Sequence, residues 1–318
     1  MMKLKDLNKN ELMDLLNYIN DIKIEFRDDL ELAKNLTFGL EIEFENALFY
    51  DIEPQIKEYN GWNLKDDLSV TIGRSRFKQG GEITSPILID EKKAWDELKQ
   101  ICTNLKLNDA IATERCGGHI HIGSQVLKDD INYYKNFLKL WYVYEEIMYR
   151  FSTGEDTKIR KAAKQYAKSL RPYIDNQKWK ISIMHNEDEL RMVLLRLTSD
   201  RYKSVNFSNT KFVKYRNLNT IEFRCPSGTI EEVIWQNNVN AFMKLANYAG
   251  SNDFDKEFID YKFGNSEERS VKYFYFMDIK KALELADLIF EKDLDKFYFL
   301  KQYFKDFDLK DNEKKFIK

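Results

Sequence analysis

The chain has 318 residues, 43% of them hydrophobic and 14% aromatic, ample for a packed core and too much for a disordered segment. Its 51 lysines and arginines nearly balance 53 acids, for a formal net charge of -2, so no global field draws it to nucleic acid or to an anionic membrane, and any phosphate binding must be local. Three cysteines, Cys102, Cys116 and Cys225, form an odd set without CxxC spacing, which points to a reducing, cytoplasmic setting and away from a disulfide framework.

The opening residues, MMKLKDLNKNELMD, hold no apolar run long enough for a signal peptide, and no later stretch approaches the roughly 18 apolar residues of a membrane span. One large domain with helical additions is therefore expected.

Residues 9 to 34 carry Leu12, Leu15, Leu16, Ile19 and Ile22 at helical spacing, which predicts one or two amphipathic helices. From Thr37 to Asn46 the period changes to two: Leu40, Ile42 and Phe44 share one face of a half-buried strand, and Glu41, Glu43 and Glu45 the other. Glu45 reads there as a solvated rim residue. Asn60 and Gly61 mark a turn, and Gly80 to Ile89 reads as a further strand, stopped or edged by Pro86 and presenting Glu82 with Thr84. Asp90 is placed to cap a helix over residues 91 to 105.

Residues 116 to 124, CGGHIHIGS, hold two of the three histidines. In an extended strand His119 and His121 lie on one face and Ile120 and Ile122 on the other, while Gly117 and Gly118 admit a close approach of backbone or ligand. Two imidazoles on one face can bind a metal ion, or simply face water at a sheet edge.

A long helix from about Asp130 to Phe151, rich in Tyr and Trp, is expected to cover the sheet, followed by a polar, lysine-rich helical insertion near residues 152–182. Residues 187 to 200 read as helix, Ser204 to Phe207 and Lys214 to Cys225 as strands, and Glu231 to Ala249 as helix. Beyond residue 250, charges alternating with Phe and Tyr predict appended helices with a frayed KDNEKKFIK end. In the last strand Glu222 and Arg224 share a face opposite Ile221 and Phe223.

Several strands thus present acids, histidines or arginine on one face. Like charges side by side on a sheet are unfavourable unless solvated, paired or bridged by cations. Carboxylate-rich sets suit magnesium or manganese, and a histidine among them also admits zinc. Cys116 has no orienting partner at any useful spacing and reads as a small buried residue, and His185 as a surface residue.

The segments GLEIEFE, GGEITSP, CGGHIHIG, RYKSVNF and TIEFRCPSGT, in this order, resemble the motif set of the amidoligase family. That family is a branch of the carboxylate–amine ligase superfamily containing glutamine synthetase and gamma-glutamylcysteine ligase. The resemblance spans residues 38 to 229. It implies an α+β fold: a curved, mostly antiparallel sheet with helices on its outer face, whose concave face holds ATP and divalent cations. The expected organisation is a catalytic domain over 36–250, an N-terminal helical extension over 1–35 and a C-terminal helical appendage over 251–318.

By the same resemblance, Glu41 and Glu43 each reach a different Mg²⁺ or Mn²⁺ ion. Glu82, His119 and Glu222 complete the metal ligands, and Arg224 contacts phosphate. Arg201 and Asn206 match a polar motif on the nucleotide side. Glu43, His121 and Arg224 are the expected catalytic residues, His121 as proton acceptor. Asp67, Leu68 and Ser69 stand where the family has Asp-Gly-Ser, so that turn is altered. Lys214 and Arg216 either reach phosphate or solvate a strand end.

The implied reaction joins a carboxylate to an amine, small molecules or peptides, through an acyl phosphate, forming an amide of isopeptide type. Two other readings remain open at this level: a zinc hydrolase using His119 and His121 with a glutamate, and a catalytically silent scaffold of the same fold. Oligomeric state is open, a homo-oligomer included.

Overall fold

The computed structural model describes residues 3–67, 69–70, 79–153, 163–213, 218–265 and 278–305. Lys214 and Arg216, and the terminal KDNEKKFIK, lie outside the described residues.

The chain begins with helix α1 (Lys9–Asp21), started by a capping box in which Asn8 accepts from the Asn10 and Glu11 amides and Glu11 reaches back to the Asn8 amide. The second amphipathic helix allowed before residue 34 does not form. That stretch is instead pinned by Asp90, whose carboxylate accepts from the amides of Leu30 and Leu32 and from Trp95 Nε1. Asp90 is therefore a buried anchor and not a helix cap; the next helix starts after Glu91 without a side-chain cap.

There follow β1 (Thr37–Ala47), α2 (Phe49–Lys57), β2 (Asn63–Asp66), β3 (Gln79–Thr84), β4 (Leu88–Ile89), α3 (Lys92–Leu107), β5 (Gly118–Gly123) and α4 (Ile131–Ser152). Short helices α5 (Ala163–Tyr166), α6 (Arg171–Asp175) and α7 (Lys178–Ile183) lead to α8 (Glu187–Leu197), β6 (Val205–Asn206), β7 (Thr220–Phe223) and α9 (Glu232–Ala249). The chain closes with α10 (Lys256–Asn265), α11 (Ile279–Ile289) and α12 (Asp293–Tyr303).

Among the described residues the strands form one seven-stranded sheet in the order β2-β3-β1-β5-β7-β6, with β4 also on β1. Every pairing is antiparallel, as the expected α+β architecture requires. The single strand expected over Gly80 to Ile89 is divided. Pro86 has no N–H for a ladder, and Ser85 breaks step by donating its amide to Leu40 O while its hydroxyl accepts from Leu40 N. Both halves still pair with β1. The strand expected over Lys214 to Cys225 is shorter, Thr220–Phe223.

One sheet face is apolar and lies under α3, α4 and α9. Phe38 stacks on Trp95 of α3 with ring centroids 5.0 Å apart, and Phe223 meets Trp141 of α4 at 5.5 Å and Phe242 of α9 at 4.5 Å. Gly118 is required by this packing: a Cβ there would sit 2.8 Å from the Trp235 ring and 2.9 Å from Ser227 O.

Helix α4 is buried at every residue from Asn136 to Ser152, because α10 and α12 cover the side turned away from the sheet. Charged residues on it are matched by neighbouring helices, Lys139 by Asp260 of α10 at 2.5 Å and Glu146 by Arg171 of α6 at 2.6 Å. The polar face of the sheet is left for the site. No helix among the described residues is long and apolar enough to cross a membrane, and Cys102, Cys116 and Cys225 are buried free thiols.

Candidate active site

Antiparallel register brings the polar residues together. Glu43 stands directly opposite Glu82, Glu41 opposite His119, and Glu222 opposite both His121 and Asn206. Directly opposed residues share a face, so one surface of five strands gathers the five expected metal ligands with His121 and Asn206.

The donors fall into two groups. In one, Glu41, His119 and Glu222 offer atoms within 4.8 Å of one another; in the other, Glu43, Asp67 and Glu82 do so. Glu41 and Glu43, two residues apart on β1, thus belong to different groups. His119 stands between them, with Nδ1 2.7 Å from Glu41 and 3.8 Å from Glu222, and Nε2 3.8 Å from Glu43. Asp67, in the altered turn, joins the second group despite the Leu68 that replaces glycine; it also accepts from the Ser69 amide at 2.8 Å.

Several contacts orient these groups. Glu222 accepts from Asn206 Nδ2 at 2.9 Å and pairs with Arg224. Asn206 is turned the right way by Ser208, whose amide and hydroxyl both donate to its Oδ1 at 3.0 and 2.7 Å. Glu43 accepts from the Gly117 amide at 2.5 Å. His121 is held at both nitrogens, Nε2 3.0 Å from Glu41 and Nδ1 3.2 Å from Thr220 Oγ1.

Burial would raise the pKa of Glu41, but hydrogen bonds from His119 and His121 hold it well below the carboxylate range. Burial likewise opposes the charge on Glu222, and Arg224 beside it outweighs that, so its pKa is lowered. For Glu82, burial and then the charge of Glu41 outweigh His119 and Lys65, and its pKa is raised. His121 is raised, since Glu41 outweighs the desolvation that would lower it.

The donors fit a pair of hard cations. Five carboxylates line the cleft over this face against three arginines, and oxygen-rich sets with at most one histidine match magnesium or manganese. His119 Nε2 is buried and makes no hydrogen bond, leaving a donor atom of the kind a cation takes up.

The cleft encloses about 850 Å³. Arg224 and Arg201 stand on the β7 side, where Arg201 donates to Tyr202 Oη at 2.9 Å. Tyr202 meets Tyr166 edge-on at 5.1 Å, a pair of aromatic rings that strand periodicity alone does not reveal. Thr220, two residues before Glu222 and so on its face, was legible in principle.

Arg115 lines the cleft from a loop, where no periodicity marks it, and its partner Glu45 corrects an expectation. Glu45 is 0% exposed and far from a solvated rim: a bulge at Asn46, φ 66°, lets the loop 111–115 close over it, so that it accepts from Thr113 Oγ1 at 2.6 Å and pairs with Arg115 at 3.0 Å. Cys116 is buried and its thiol pushed up to about 12, chiefly by that burial, which suits packing and not nucleophilic attack. His185 is exposed at the start of α8, as expected.

Residues 34–246 match the protein family described as "putative amidoligase enzyme". No curated protein matches the chain.

Proposed function

Because the chain belongs to the amidoligase enzyme family, a family named for amide-bond-forming ligases, we propose that it joins a carboxylate to an amine by way of ATP and an acyl phosphate. The observation that carries this reading is the pair of adjoining ligand groups, Glu41–His119–Glu222 and Glu43–Asp67–Glu82, on the floor of a cleft edged by arginines.

A carboxylate resists attack by an amine because oxide is a poor leaving group. Transfer of the γ-phosphoryl group from ATP to a carboxylate oxygen releases ADP and gives an acyl phosphate. The amine nitrogen then bonds to the acyl carbon, phosphate departs with its oxygen, and the nitrogen loses one proton. Mg²⁺ ions held by the two groups would neutralise the triphosphate oxygens during the transfer.

The chain's own residues supply the rest. Arg224, already fixed by Glu222 and by the Tyr166 carbonyl, is placed to meet phosphoryl charge, and Arg201 at the rim to guide an anionic ligand inward. His121 takes the amine's proton: Glu41 at Nε2 strengthens it as a base, and Thr220 fixes the other nitrogen. Asn206 and Ser208 hold Glu222 in place through the turnover.

The hydrolase alternative needs both imidazoles on one ion. Among the described residues each ligand group has at most one histidine, which favours the ligase. Isothermal titration of ATP into the protein should give binding that requires Mg²⁺ and is lost in Glu43→Gln. Binding indifferent to Mg²⁺ and to that substitution, or tightly held zinc in dialysed protein without ADP formation, would sink the proposal.

A further inference from the structure

Helices α7 and α8 bound a second cavity, of about 420 Å³, beside the cleft. Met184 and the buried Val193 line it, and Trp179, Ile183 and Met192 stand around it 70%, 48% and 53% exposed. Three large apolar side chains open to water on one cavity mark a recognition surface. Its charged residues are two of each sign, Lys180 and Arg196 with Asp188 and Glu189, so the groove has no net attraction for nucleic acid or an anionic lipid surface.

The groove continues into the cleft along α8. Met192, Val193 and Arg196 face the groove, while Leu195, one turn beyond Met192, lines the cleft with Thr198 and Ser199. From Glu189, which lines the groove, to Thr198, which caps α8 and lines the cleft, the nine-residue rise is about 14 Å, a distance an extended peptide covers in about four residues. A small carboxylate confined to the cleft would leave this apolar track unused.

We propose that the α7–α8 groove binds an apolar side chain of a peptide substrate, about four residues from the carboxylate or amine that reacts in the cleft. The inference rests on the ligase reading and adds the class of substrate to it.

Trp179 reports on the groove directly. The other four tryptophans, Trp62, Trp95, Trp141 and Trp235, are at most 3% exposed, so iodide quenching of the native protein senses Trp179. The probes are two pools of end-blocked hexapeptides with a glutamate near one end, carrying either Leu, Phe or Met, or else Ser or Gly, four residues away.

The apolar pool should shield Trp179 saturably, the polar pool at least tenfold less well. Met192→Asp, a surface change, should abolish the shielding, and Leu107→Asp, at an exposed position on α3 outside the groove, should not. Equal shielding by both pools, no shielding up to about 1 mM peptide, or shielding that rises with protein concentration alone, as a second copy would cause, each overturns the proposal. ADP formation from Mg·ATP is read in parallel. ADP formation with Trp179 unshielded sinks the groove and spares the ligase reading; shielding without ADP in any pool retains the groove's ligand and sinks the ligase reading.

Discussion

Glu222 is fully engaged before any ligand arrives, one oxygen facing Asn206 and the other Arg224. A carboxylate fixed in this way loses little conformational entropy when it takes up a cation, and groups that orient a ligand side chain typically contribute 10- to 100-fold to metal affinity. Asn206→Ala should therefore weaken Mn²⁺ binding about 10- to 100-fold, read by titration calorimetry with Mn²⁺ alone on the folded protein, and should also lower stability by about 1–3 kcal/mol, since a buried Glu222 oxygen loses its donor. Unchanged Mn²⁺ affinity would mean that Glu222 takes no part in holding the ion. Glu41 shows the same economy in another form, one carboxylate bridging two imidazoles from a neighbouring strand.

Among the elements, α10 depends most visibly on charge. Asp260 on α10 joins Lys139 on α4 at 2.5 Å and Lys256 on its own helix at 3.1 Å. Burial alone would raise the Asp260 pKa, but the hydrogen bonds from Lys139 and Lys256 outweigh it and hold the carboxyl below its ordinary value. A depressed acid contributes stability that is fully present above the unfolded pKa, about 3.9, and is lost as pH falls through the folded value. Denaturant midpoints measured from pH 6 down to pH 3 should fall less steeply for Asp260→Asn than for the parent chain. At neutral pH the same substitution should cost about 1.5–3 kcal/mol, the worth of a charged hydrogen bond to a buried partner. Parallel curves would show that the pair does not tie α10 to α4.

At the scale of the whole molecule, the apolar core runs without interruption from the sheet through α4 to the last helices. Phe299 of α12 is 0% exposed and stacks on Phe151 of α4 with centroids 4.7 Å apart. Truncation to alanine removes a full aromatic side chain from a packed interior, so Phe299→Ala should lose about 3–5 kcal/mol. If α10–α12 and the sheet fold as one cooperative unit, near-ultraviolet dichroism and Mg²⁺-dependent ATP binding should be lost in a single coincident transition of that variant. Two separated transitions would make the last helices an independent layer.

Period-two alternation in the segments holding Glu41, Glu43, His119, His121 and Glu222 told which side chains share a face, because a strand's pleat is a local property. Helical periodicity located α1, α3, α4, α8 and α9 for the same reason, and the order of five motifs carried the family. The resemblance had already set Glu41 and Glu43 toward different ions; tertiary structure alone decided that Asp67 completes the second ligand group and that Glu45 is buried beneath Arg115. Those outcomes depend on cross-strand register, on a bulge at Asn46 and on loops brought in from far along the chain. No local pattern encodes such pairings, since they are set by hydrogen-bond ladders and packing between segments tens to hundreds of residues apart.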